Sequence, residues 1–187
     1  MDIVYGTSNY HLAASGMSTT DAWYAGHHQA DRAEDLGDYQ LAQGYSSQTA
    51  DAAADMEPSW DGPSITRQLV DGDEAQGWAL YYDFGSADGC PQSGSADGPC
   101  NNGWSVDDVG YVSFAGLALP LPEIYYSVNA SQWAVVRRWW DAAAGGDYFF
   151  AGVTASTGAG LTPPASWNAL DAANPGLVDP EVVCFGC

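Results

Sequence analysis

The chain contains no lysine, and four arginines are its whole complement of strong cations. Set against 24 acidic residues, they leave a formal net charge of −20. Such a surface repels phosphate backbones and anionic lipid headgroups, which argues against nucleic acid and membrane surfaces as partners. Long apolar runs are missing as well; no stretch approaches the ~20 residues that a bilayer-spanning helix requires. Charged residues make up only 15% of the chain and hydrophobic ones 46%, which excludes a disordered polar chain and a coiled coil. The opening Met1-Asp-Ile-Val-Tyr-Gly6 has neither the basic nor the apolar region of a secretory leader. A chain of 187 residues can bury one good core, so a single domain, 1–187, is expected.

Cysteine is scarce too, and its four positions are informative. Cys90 and Cys100 are separated by nine residues, Cys184 and Cys187 by two, a spacing that favours two local disulfides. Zinc is the rival reading. A lone C-x-x-C at the extreme C-terminus lacks a second close pair, however, and a redox C-x-x-C needs a helix start that is not there. Residues 85–104 carry an internal echo, Gly-Ser-Ala-Asp-Gly, at 85–89 and again at 94–98. Asp88 and Asp97 could offer oxygens to calcium, but two loose copies without a bidentate Glu are better explained as a disulfide loop. No metal and no cofactor are expected. Disulfides imply an oxidising compartment, so an extracellular location is expected, with the leader absent from this sequence.

Among what is present, the stretch Asp51-Ala-Ala-Ala-Asp55-Met-Glu57-Pro58-Ser-Trp60 stands out. On a strand, period-2 alternation places Asp55 and Glu57 on one face, about 7 Å apart. Pro58 cannot donate a ladder hydrogen bond and should end the strand, leaving the acid pair at its C-terminal end. In parallel α/β folds, that end is where ligands bind.

The remainder reads as strands alternating with helices. Strands are expected at Ile3–Tyr5, 51–57, Trp78–Phe84, 121–126 and 148–154, with a shorter β-like run at Val109–Ala115. Ser18–Asp21 caps a helix over Ala22–Leu36 that Gly37 should stop, its stripe formed by Ala22, Ala25, Gly26, Ala30 and Ala33. Further helices are expected at 63–76, 129–144 and 163–172. Within the one at 129–144, Trp133, Val136 and Trp140 recur at core spacing. Adjacent His27 and His28 point in different directions and make a poor metal pair. The alternation calls for a parallel sheet with helices outside, either open or closed as a (β/α) barrel of TIM type. A barrel usually takes about 250 residues, so this one would be incomplete at the N-terminus.

Five motifs carry a resemblance: Ala54-Asp-Met-Glu-Pro58, Tyr82-Asp-Phe-Gly-Ser86, Leu121-Pro-Glu-Ile-Tyr125, Asn129-Ala-Ser-Gln-Trp133 and Phe150-Ala-Gly-Val-Thr154. In that order, over about residues 20–185, they resemble the second half of the secreted glycoside-hydrolase-like TIM barrels of actinobacterial type. That group is related to the family 25 lysozymes and the glycoside hydrolase-like domain family. The resemblance implies an Asp-x-Glu ending the fourth barrel strand, here Asp55 and Glu57, with Asp83 after the fifth and Glu123 near the sixth. The first-strand Asp of the lysozymes has a counterpart only if Asp2 fills that place. The chitinase pattern is not matched, because Ala53 stands where its middle Asp would be.

The function expected is hydrolysis of a glycosidic bond in a cell-wall or other extracellular polysaccharide. Glu57 would be the general acid and Asp55 would stabilise oxocarbenium-like charge, with Asp83 or Glu123 completing the site. Trp60, Tyr82 and Tyr125 would line a sugar subsite, since flat aromatic faces stack on sugar rings. Two alternatives remain open: a carbohydrate-binding domain without turnover, and an acidic secreted surface domain whose carboxylates cap helices and loops.

Overall fold

A computed structural model describes residues 3–77, 80–158 and 160–187. Asp2, and the first two residues of the expected 78–84 strand, lie outside them. Strands β1 (Ile3–Ser8), β2 (Ala50–Asp55), β3 (Tyr81–Asp83) and β4 (Ala118–Pro120) form one sheet in chain order, all parallel. Strands β5 (Val153–Ser156) and β6 (Val182–Phe185) form a second parallel pair. The two sheets are stitched together by a parallel bridge between Glu123 and Thr154. Hydrogen bonds from Ile124 N–H to Thr154 O (2.9 Å) and Thr154 N–H to Pro122 O (2.8 Å) accompany it.

A helix follows each of the first five strands: α1 (Thr19–Ala42), α2 (Pro63–Glu74), α3 (Val106–Phe114), α4 (Ser127–Trp140) and α5 (Pro163–Ala173). The helices cover one face of the sheet, where Ala52, Ala54, Tyr81 and Asp83 are buried. The other face is concave and helix-free. It bounds a cavity of about 890 Å³ lined by Val4, Tyr82, Phe84, Leu121, Phe149 and Phe185 among others. Curling brings the rings of Phe84 and Phe185 to 6.3 Å across that hollow. The fold is therefore α/β with a parallel sheet, as expected. The closed TIM-type barrel is not seen: among the described residues, no strand joins β6 back to β1.

Several local expectations need correction. Gly37 does not stop α1, which continues to Ala42. An added Cβ at Gly37 would meet the Ala50 side chain at 3.8 Å, so the glycine sits where the helix passes over β2. The run Val109–Ala115 is not β-like but the body of α3, whose start is set by a capping box between Ser105 and Asp108. The strand expected at 121–126 lies earlier, at β4, and Glu123 keeps only the bridge. The strand expected at 148–154 begins at Val153, and the C-terminal tail forms β6.

The helix layer is locked by one close crossing. A Cβ on Gly26 of α1 would stand 1.8 Å from Leu69 O, and one on Gly72 of α2 would stand 1.8 Å from Trp23 O. Backbone therefore meets backbone. Trp104, Trp133 and Phe150 fill the opposite half of the core, each at most 2% exposed. Both expected disulfides, Cys90–Cys100 and Cys184–Cys187, are present.

Candidate active site

The site forms where β2, β3 and β4 end, all pointing the same way. Asp55 is the last residue of β2, in register with Ser8 of β1. Glu57 follows two residues on, before Pro58 turns the chain towards α2. Glu123 arrives from the segment after β4, its N–H donating to Gly85 O at 3.0 Å. Asp55, Glu57 and Glu123 each present a carboxylate oxygen, and these oxygens lie within 4.8 Å of one another. Glu57 and Glu123 are close enough to share a hydrogen bond when one of them is protonated.

The surroundings favour neutral carboxyls. Burial pushes Asp55 up to about 7, and the neighbouring Glu123 charge adds to this. Oδ1 of Asp55 is buried and has no hydrogen-bond partner. Burial pushes Glu57 higher, to about 8; the Ser86 hydrogen bond opposes this, while Glu123, Asp55 and Asp88 reinforce it. Glu123 is raised by burial, with its hydrogen bond from the Tyr125 hydroxyl pulling the other way. Among the described residues, no arginine offsets the cluster. Arg32 pairs with Asp35, Arg67 with Asp107 and Asp108, Arg137 with Asp141, and Arg138 Nε donates to Gly94 O. Three crowded carboxyls without a counter-charge retain protons to higher pH because their charged forms are both desolvated and mutually repelled. The same spacing could chelate a hard divalent cation through oxygen, in which case all three would be ionised.

The other expected site residues divide. Asp83 is not in the cluster. It points to the helix side of β3, where it accepts from Ser113 Oγ at 2.5 Å and from Gly85 N–H at 3.0 Å, with 1% exposure. Tyr82, its neighbour, faces the hollow. Tyr125 sits at the cluster and donates to Glu123. Trp60 packs edge-on against Tyr10, ring centroids 5.3 Å apart, and Tyr10 stacks on His11 at 3.8 Å. Aromatic rings thus follow the ends of β1, β2 and β4, and of these Tyr125 contacts the cluster directly.

Three participants were not singled out from the sequence as part of this site. Asn9 bonds the Glu57 main chain, Ser86 bonds its carboxyl, and Asp88 adds negative charge from the disulfide loop. Asn9 and Ser86 each lie just past a strand end, the one signal that could have drawn notice. Comparison of the chain with protein-family models, curated proteins and solved structures finds no match.

Proposed function

We propose that the protein hydrolyses glycosidic bonds in a cell-wall or other extracellular polysaccharide. The observation that carries this reading is the convergence of Asp55, Glu57 and Glu123 at the C-terminal ends of parallel strands, with Glu57 holding its proton to about pH 8. Such a carboxyl can donate to a departing glycosidic oxygen at neutral pH, which an ordinary glutamate cannot. Glu57 is the general acid. As the others ionise, Asp55 or Glu123 supplies the negative charge that an oxocarbenium-like transition state needs.

Tyr125 at the cluster, with Trp60 and Tyr10 past the ends of β2 and β1, suits a neutral sugar chain, and the surrounding negative charge disfavours anionic ones. The two disulfides support an oxidising, extracellular setting. Glu57→Gln tests the reading, because the amide keeps the shape but cannot give up a proton. Turnover of peptidoglycan and of simple polysaccharides should fall by about 10²–10⁴-fold while glycan affinity is kept. Wild-type protein that binds these glycans without cleaving them would instead make it a carbohydrate-binding domain.

A further inference from the structure

We infer that Asn9 and Ser86 are the positioning residues of Glu57, one setting its main chain and the other setting which of its oxygens is free. The inference rests on Glu57 being the proton carrier of the proposed site. Asn9 follows β1 by one residue and is wholly buried. Its carboxamide meets Glu57 in both directions. Glu57 N–H donates to Asn9 Oδ1 at 2.9 Å, and Asn9 Nδ2 donates to Glu57 O at 3.0 Å. A side-chain amide thus mimics one more rung of the β1–β2 ladder, beyond the backbone bond from Asn9 N–H to Asp55 O at 3.2 Å. Asn9 Nδ2 also reaches Thr66 Oγ1 at 3.2 Å, and that hydroxyl donates to Gly62 O at 3.0 Å, so the clamp is braced by the first turn of α2.

Ser86 acts on the carboxyl itself. Its Oγ donates to Glu57 Oε2 at 2.6 Å, while its own N–H donates to Met56 O at 3.3 Å. The preceding glycine makes this approach possible, since a Cβ on Gly85 would lie 2.0 Å from Met56 O. With Oε2 engaged as an acceptor, Oε1 is the oxygen left to carry the transferable proton. The charged groups facing Glu57 are Asp55 from β2, Asp88 from the disulfide loop and Glu123 from the segment after β4. None of them can donate to Oε2 once ionised, so no charged group facing Glu57 can replace the serine hydroxyl.

Carboxyl ¹³C NMR titration of the intact chain, with the Glu57 signal assigned through Glu57→Gln, tests both roles without requiring turnover. Ser86→Ala should move the Glu57 titration to higher pH, and Ser86→Thr, which keeps the hydroxyl, should restore it. An unmoved titration in Ser86→Ala, or a shift that Ser86→Thr does not reverse, overturns the Ser86 role. Asn9→Ala should bring the titration down towards the ordinary glutamate range as the released segment meets water. If that variant does not fold, Thr66→Val removes the brace and should shift the titration the same way. A wild-type titration in the folded Asn9→Ala protein, or in Thr66→Val where it must stand in, overturns the Asn9 role. Shifts as expected without any glycan cleavage would sink the hydrolase reading and leave the positioning roles standing; cleavage with unmoved titrations would do the reverse.

Discussion

Carboxyls buried without counter-ions make this fold sensitive to pH in a defined direction. Asp55 and Asp83 are raised from 3.8 to about 7, Asp73 likewise, and Glu57 from 4.5 to about 8, burial being the first cause in each. A group whose folded pKa lies above its unfolded one contributes stability that is complete below the unfolded value. That contribution is lost as pH rises through the folded one. Tm should therefore fall from about pH 4.5 to pH 8 and level off above that. Surface carboxylates regaining charge would add to the fall, so the check is by variant: Glu57→Gln or Asp83→Asn should flatten the Tm-versus-pH curve. A slope unchanged in both would show that these groups do not titrate in the folded state as their burial implies. Asp83 also marks a limit of sequence reading at this scale. Asp55 and Glu57 were legible as a pair because they share a parity. Tyr82 and Asp83 are adjacent on a strand, so alternation admits only one of them to the concave face, and the structure chooses the tyrosine.

Elements were most legible where punctuation and periodicity agreed. Pro63 at the start of α2, Pro163 at the start of α5 and the Ser18 cap of α1 all act as their residue types suggest. Reading failed where one signal outweighed another. Val109, Tyr111, Val112 and Phe114 have strand-like propensities, yet the Ser105–Asp108 box and a core on one side make them a helix. Gly37 resembled a stop, yet α1 runs through it over β2, where an added Cβ would meet Ala50 at an ordinary 3.8 Å. The α1–α2 crossing lends itself to a direct test. Gly72→Ala drives a methyl into Trp23 O, and should cost on the order of 1–3 kcal/mol, lowering Tm by roughly 2–12 °C. Gly6→Ala, where an added Cβ meets nothing within 4 Å, should leave Tm nearly unchanged. Equal effects at the two sites would mean that the helices part easily to admit the methyl.

For the whole molecule, a net charge of −20 acts on every part of the fold at once. Self-repulsion across the surface weakens as added salt shortens the screening length from about 10 Å at 0.1 M to about 3 Å at 1 M. Tm should thus climb between low and molar NaCl, and a flat response would show that the charges are spread too thinly to strain the fold. The same scale exposes what composition could not reveal. Strand–helix alternation identified a parallel sheet, but whether it closes depends on the strands flanking β1 and β6, and no local pattern encodes that. Among the described residues, β1 is paired only with β2, and its Val4 and Tyr5 are 48% and 46% exposed. Deuterium uptake should make that lopsidedness visible. Amides of β1 that do not bond β2 face no neighbouring strand among the described residues and should label within seconds, whereas those of β2, walled in by β1 and β3, should stay protected until the sheet itself opens.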